Sequence, residues 1–279
     1  MADMQTGIGR NYREPSWLER LASGSAGAAP AWLRRPLKRA YHALLSVLPG
    51  DHLVCRLPGG ETLKVDPDYR HLAWNAEEYT ALKGQARAGA TVLDIGANVG
   101  CYTMLFARWV GDGGHVYAFE PAAESRAGLE RHLSINGLSG RVTVRPEAIT
   151  DRAGFASFID AGTHGDNRVV PPATSGTTSV PAQSIDEFCE ATAISPDVIK
   201  IDIEGAELAA LRGARRTIAG RGAALALFVE LHPAIWPSIG VTRADIEAEL
   251  QWQKLVVEPL PGVGDPWAVE GVCVRVRPA

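Results

Sequence analysis

Thr91-Val-Leu-Asp-Ile-Gly-Ala-Asn-Val-Gly-Cys-Tyr-Thr103 decides how this chain folds. The apolar run 91–95 reads as a buried parallel strand, and a helix starts near Val99. Gly96 and Gly100 remove the Cβ atoms that would keep a ligand off the strand-to-helix turn. Such a turn lies at the carboxyl end of a strand, where open α/β sheets bind their ligands. Downstream, a second apolar strand, 116–119, ends in Glu120 and Pro121. A carboxylate there is placed to accept hydrogen bonds from both hydroxyls of a ribose. The glycine spacing is G-x-x-x-G, without the third glycine of a dinucleotide pyrophosphate cradle. The pattern therefore points to a nucleoside with a small zwitterionic tail.

The 279 residues are enough for one large domain, or for a core domain with an appendage, and 46% hydrophobic residues supply a globular core. The net charge of −4 argues against nucleic acid as a partner, because phosphate-tracking proteins carry basic surfaces. Cys55, Cys101, Cys189 and Cys273 are scattered with no C-x-x-C pair. They read as free thiols in a reducing, cytoplasmic setting. No apolar run has the length of a signal-peptide core or a membrane span.

Residues 1–73 read as an N-terminal extension and 74–279 as the main domain. Residues 1–30 are polar and small, a flexible start. Over 31–48, Leu33, Leu37, Tyr41, Leu44, Leu45 and Leu48 recur at helical spacing, with Arg34, Arg35, Lys38 and Arg39 largely opposite. A basic amphipathic helix of this kind can lie on a membrane; the plainer expectation is packing on the core or on a second subunit, which would make a homodimer through the N-terminal region. Pro58-Gly59-Gly60 between 53–57 and 61–65 reads as a β-hairpin, followed by a helix over 74–86. Strands at 91–95, 115–120, 142–147, 197–203 and 224–231 then alternate with helices near 99–110, 122–136, 206–219 and 242–252, the signature of a parallel sheet covered on both faces. A short extra strand is expected at 155–159, and the last two strands, 254–258 and 268–276, run antiparallel to each other. The stretch 160–181 reads as one long irregular loop, a mobile lid.

Asp94 either orients the glycine turn or reaches an amino group on the ligand; its plain alternative is a helix cap. Gly96, Ala97, Asn98, Gly100, Tyr102 and Thr103 surround a helix start whose free N–H groups favour a carboxylate. Glu120 and Pro121 end the second strand, and Ala148 follows the third, where an adenine would lie. S-adenosylmethionine meets these requirements. In Val198-Ile-Lys-Ile-Asp-Ile-Glu-Gly-Ala-Glu207, strand alternation puts Lys200, Asp202 and Glu204 on one side. Strands of a covered parallel sheet are normally apolar throughout, so the charges invite a functional reading. Asp202 could take a proton from a hydroxyl, bind the donor's amino group or hold a metal. Glu230 and His232 end the fifth strand beside it, His232 as a base at neutral pH or as a ligand. His164, Asp166 and Asn167, in the long loop, are candidates to touch the acceptor.

These segments carry a resemblance. VLDIGANVGCYT (92–103), VYAFEP (116–121), AITDRAG (148–154), SIDEF (184–188), VIKIDIEGAELAALRGA (198–214) and VELHP (229–233) resemble the FkbM-type family of S-adenosylmethionine-dependent methyltransferases, in order and spacing. The resemblance implies a Rossmann-like class I methyltransferase fold, an α/β architecture with a seven-stranded, mostly parallel sheet whose last strand is antiparallel. It implies methyl transfer to a hydroxyl oxygen of a small molecule, often a sugar or a secondary metabolite. More distant macrolide-sugar methyltransferases hold Mg2+ where Asp202, Glu204, Glu230 and His232 fall here.

Two other readings remain at this stage. An NAD-dependent oxidoreductase would also place an acid after the second strand, but it needs the missing glycine. A non-catalytic S-adenosylmethionine-binding module would keep the fold without the acceptor-side acids. A base-directed N-methyltransferase normally carries an Asn/Asp-Pro-Pro-aromatic segment where this chain has Asp202-Ile-Glu-Gly.

Overall fold

A computed structural model describes residues 11–12, 52–57, 60–69, 72–162, 167–172 and 174–279. The polar start and the amphipathic helix expected over 31–48, with the dimerisation surface assigned to that region, lie outside the described residues. The chain divides into two compact units, Asn11–Trp74 and Asn75–Ala279.

In the smaller unit β1 (Leu53–Arg56) and β2 (Thr62–Val65) form the antiparallel hairpin, with Leu53 opposite Val65 and Arg56 opposite Thr62. Leu63 and Val65 are buried while Thr62 and Lys64 are exposed, the alternation of a strand with one covered face.

The larger unit opens with α1 (Ala76–Lys83), whose first turn is capped by the Asn75 side chain accepting from the Glu78 N–H. It continues with β3 (Thr91–Ile95), α2 (Cys101–Val110), β4 (His115–Phe119), α3 (Ala123–Ile135) and β5 (Val142–Arg145). Four short strands follow: β6 (Ala148–Ile149), β7 (Gly154–Ile159), β8 (Arg168–Val170) and β9 (Thr178–Gln183). The chain then runs through α4 (Ile185–Thr192), β10 (Val198–Ile201), α5 (Glu207–Arg212), α6 (Arg215–Arg221), β11 (Ala226–Leu231), α7 (Arg243–Trp252), β12 (Leu255–Pro259) and β13 (Val272–Pro278).

The main sheet has seven strands in the order β5-β4-β3-β10-β11-β13-β12. All its strands share one direction except β13, which is antiparallel to both β11 and β12. One face carries the core: Leu93, Ile95, Ile199, Ile201, Val229 and Val274 pack against Phe188, Leu211, Ile218 and Ile246 from the covering helices. These are the continuous apolar strands of a sheet shielded from water. Strand order reverses between β3 and β10, so the crevice beyond their carboxyl ends is where a ligand belongs.

The stretch 160–181 is not one irregular loop. It contains β8 and the start of β9, which join β7 and β6 in a second, four-stranded sheet. The Pro and Ser/Thr content disguised β9, where Val180 and Ala182 are buried and Ser179 and Pro181 exposed. Proline is tolerated because β9 meets β6 only at Ala182 and Gln183. The strand expected over 142–147 likewise ends at Arg145, and Ala148 and Ile149 belong to the second sheet. The helix expected over 206–219 breaks at Gly213 into α5 and α6. A Cβ on Gly213 would strike the Thr150 carbonyl oxygen, so the chain turns where it passes the second sheet.

Gly96 joins β3 to the following turn with φ at 82°, and a Cβ there would overlap the Asp202 carbonyl oxygen. Both the backbone conformation and the space exclude a side chain. Gly96→Ala should therefore lower unfolding free energy by roughly 2–4 kcal/mol. Gly140→Ala, on an open 3-10 turn with nothing within 4 Å, should change it by less than about 0.5 kcal/mol. Denaturant titration of the two variants checks this, and equal midpoints would remove the close approach from the account.

Candidate active site

The turn after β3 and the end of β4 are tied together. Gly96 and Ala97 both donate their N–H to the Phe119 carbonyl, each at 3.0 Å. Glu120 follows, and its carboxylate accepts from the Asn98 N–H and the Ala122 N–H, both at 2.8 Å. Burial drives its pKa up to about 7 in spite of those hydrogen bonds. A cavity of about 240 Å³ opens beside it, lined by Gly96, Asn98, Phe119, Glu120, Pro121 and Ala148 and by Asp202, Glu204 and Glu230. Phe158, Arg168 and Val169 of the second sheet also line it.

Of the residues expected to hold a donor, Gly96, Asn98, Glu120, Pro121, Ala148 and Asp202 line this cavity. Asp94, Ala97, Gly100, Tyr102 and Thr103 do not. Asp94 is buried, and Thr103 Oγ1 donates to its Oδ2 at 2.5 Å, so the two fasten α2 to the end of β3. Burial raises the Asp94 pKa to about 6. Tyr102 turns away and donates its hydroxyl to Glu78 Oε2 on α1 at 2.8 Å.

Asp202 and the acids near it surround two cations. Lys200 is buried on β10, with Nζ 2.9 Å from Asp202, 3.6 Å from Glu78 and 3.9 Å from Glu230, and 4.9 Å from the centre of the Tyr102 ring. Burial alone would neutralise the amine. The charges of Asp202, Glu78 and Glu230 outweigh it and hold the pKa well above the usual lysine range. Burial also pushes Asp202 up, but Lys200 and His232 more than reverse this, so its carboxyl lies below the ordinary value. Glu230 shifts the other way: burial, then the Asp202 charge, hold it well above the carboxylate range.

His232 is nearly fully buried at the end of β11. Its Nδ1 lies 2.7 Å from Glu207 Oε1. Its Nε2 faces Glu204 at 3.6 Å, Glu230 at 3.7 Å and Asp202 at 4.0 Å. Burial would depress the imidazole pKa; the hydrogen bond and charge of Glu207, with the charges of Asp202 and Glu204, raise it to about 10. A pKa of about 10 favours the imidazolium at neutral pH, the acid form, where its position suggested a base or a ligand. Glu204, in contrast, has a pKa raised to about 7, mainly by burial and against the pull of His232. Its φ of 47° is unusual for a residue with a side chain, the local strain that gathers at functional sites.

Glu207 carried no assigned role in the sequence reading. It is fully buried in the first turn of α5 and accepts from Gly205 N–H (2.9 Å), His232 and Trp236 Nε1 (2.7 Å). Its place three residues after Glu204 was visible, but its partners come from a separate strand and turn. Phe158 and Arg168 were hidden for the same reason the second sheet was. Asn167 lines the cavity, but its amide closes a turn, accepting from Ala161 N–H at 2.7 Å and donating to the Gly162 carbonyl at 2.6 Å. His164 and Asp166 lie outside the described residues.

Asp202, Glu204 and His232 each offer a ligand atom within 4.8 Å of the others, and Glu230 is not part of that group. Magnesium prefers six oxygens in an octahedron. A donor set that includes a histidine nitrogen fits it poorly. No disulfide joins any of the four cysteines. No helix among the described residues is long and apolar enough to cross a membrane.

The Methyltransferase FkbM domain family matches residues 94–254. Among solved structures, methyltransferase FkbM from Methylobacillus flagellatus KT is similar at 21% identity and a TM-score of 0.43, over 67% of this chain and 43% of that one. The chain thus spans less than half the length of that relative. An S-adenosylmethionine-dependent O-methyltransferase from Thermotoga maritima is similar at 14% identity and a TM-score of 0.43, over 87% of this chain and 82% of that one. Aeropyrum pernix fibrillarin, with natively bound S-adenosyl-L-methionine, is similar at 13% identity and a TM-score of 0.40, over 81% and 94%. None of the curated proteins matches this chain.

The Glu207 contacts generate a test. Because the folded pKa of His232 is raised, its contribution to stability is complete below about pH 6.5 and is lost as pH rises through about 10. Glu207→Gln removes the charge and sets an amide N–H against the Trp236 N–H. It should bring the His232 pKa down, read by NMR titration of the ring, and cost roughly 1–3 kcal/mol of stability. An unshifted ring titration would show that Glu207 does not hold the imidazolium.

Proposed function

The chain belongs to the FkbM-domain methyltransferase family, and on that premise we propose that it transfers the methyl group of S-adenosylmethionine to a hydroxyl oxygen of a small molecule. Sugars and glycosylated secondary metabolites are the proposed acceptor class. One observation carries the reading: Gly96 and Glu120 line the same cavity as Asp202 and Glu204. Donor and acceptor can therefore meet inside it.

In this reading Glu120 accepts hydrogen bonds from the ribose hydroxyls, and Phe119, Pro121 and Ala148 border the adenine. Asp202 orients the acceptor or holds the donor's ammonium. The acceptor oxygen attacks the sulfonium methyl in line; the C–O bond forms as the C–S bond breaks, and the sulfur keeps the electron pair to become a neutral thioether. The hydroxyl proton passes to Glu204, whose pKa of about 7 suits a general base at neutral pH. His232, fixed by Glu207, stays charged and steadies the neighbouring carboxylates. Positioning supplies much of the rate, as in any displacement between two bound partners. A nicotinamide oxidoreductase is set aside by the family. A binding module without catalysis would leave Glu204 poised for no purpose, and turnover decides the point.

Glu120→Ala should weaken S-adenosylmethionine binding by roughly 1.5–3 kcal/mol, the scale of a charged hydrogen bond lost. In the wild type, calorimetry should show affinity falling as pH drops below about 7, because protonation takes the acceptor from the ribose. Affinity independent of pH and of Glu120 would move the donor elsewhere.

With donor and acceptor saturating, kcat should rise with pH along a limb centred near 7. Glu204→Gln should abolish that limb and lower kcat by roughly 10²–10⁴-fold. A Glu204→Gln enzyme with the wild-type pH profile would remove Glu204 as base.

A further inference from the structure

We propose that the depression at the amino ends of β3, β10 and β11, on the opposite edge of the sheet from the active cleft, is a second binding site for a small phosphorylated molecule. It encloses about 510 Å³ and is lined by Arg87, Gly89, Asp197, Arg221 and Arg275, among others. Asp197 is the one acid in this wall, and both its oxygens are committed. Oδ1 takes the Arg221 guanidinium at 2.7 Å, and Oδ2 accepts the Thr91 N–H at 2.9 Å. Among the described residues neither Arg87 nor Arg275 forms an ion pair, so two positive charges line the depression unbalanced.

Arg275 is an unexpected residue for its place. It lies on β13, an interior strand, in register with Phe228 of β11 and Glu258 of β12. Glu258, the nearest acid by register, is instead paired with Arg277 at 3.0 Å. The Nε atoms of Arg275 and Arg221 are both enclosed and lack any hydrogen-bond partner. A buried donor with no acceptor is costly, and a charged one more so. Arg275, which lines the depression and has no acceptor among the described residues for any of its guanidinium N–H groups, marks a site that an anion would complete.

A phosphoryl group matches the requirement. It carries close to two negative charges at neutral pH, equal to the surplus in the wall. Its oxygens fit the guanidinium fork in bidentate fashion. The volume leaves room for a sugar or nucleoside beyond the phosphate. A polynucleotide fits less well, since the chain as a whole carries −4. Asp197 directly precedes β10 and Asp202 directly follows it. The two sites are thus roughly 17 Å apart along the strand, at about 3.3 Å per residue, and should fill independently.

The test is calorimetric titration of the full-length protein with inorganic phosphate, glucose 6-phosphate and ADP, each with S-adenosylhomocysteine saturating. At least one probe should bind under those conditions. Its affinity should fall about tenfold or more in Arg275→Gln and in Arg87→Gln, as expected for a lost charge-assisted hydrogen bond. Arg87 is exposed, so its variant keeps the test valid if Arg275→Gln folds poorly. Tightest binding by glucose 6-phosphate or by ADP tells a sugar from a nucleoside source. Failure of all three probes to bind, or unchanged affinity in both variants, overturns the proposal. So does a probe that binds only when S-adenosylhomocysteine is left out.

Discussion

The ends of β3 and β10 meet backbone to backbone. The Asp202 N–H donates to the Ile95 carbonyl at 2.9 Å, and the Asp202 carbonyl lies against the bare Cα of Gly96. The rest of the site depends on this contact. It brings the turn tied to Glu120 and the strand end that leads into Asp202 and Glu204 to one cavity. A side chain at position 96 would part the strands exactly where strand order reverses, so the glycine here serves close approach as much as ligand access.

The acceptor wall is an electrostatic problem solved locally. Lys200 puts a charge in the interior of a covered sheet, where desolvation is severe. It is held there by Asp202, with Glu78 and Glu230 nearby and the Tyr102 ring beside it. His232 is treated in parallel by Glu207, which also satisfies Gly205 and Trp236. Burial sets neighbouring carboxyls apart in pKa against the pull of the two cations, which wins only at Asp202: Asp202 lies below the usual range, Glu230 well above it, Glu204 near 7. Separated pKa values among close acids are how one pocket can both orient a group and take its proton.

Much of the fold was legible in the chain because its signals are local. The apolar runs at 91–95, 198–201 and 226–231 and the glycine turn placed the central strands, and the antiparallel last strand followed from the family resemblance. The second sheet was not legible: Pro181 and the Ser/Thr residues around it are loop formers by composition, and only pairing with β7 makes that segment a strand. Within the site, Glu120 could be picked out from its place between strand and proline. Asp94 and Thr103 could be named as neighbours of the turn, but that they bond each other beneath it depends on helix rotation. His232 could be placed near Asp202, yet its charge state is set by Glu207, a residue distant in sequence whose contact no pattern announces.

The central claim is methyl transfer to oxygen in the cavity between Glu120 and Glu204. The direct measurement uses S-adenosylmethionine labelled with 13C at the methyl carbon, incubated with the protein and a panel of sugars and glycosylated metabolites. Long-range carbon–proton NMR correlation then locates the label. The account predicts a new methoxy carbon, joined through oxygen to a carbon of the acceptor. Label arriving on nitrogen or carbon, or remaining wholly in the donor across the panel, would contradict it.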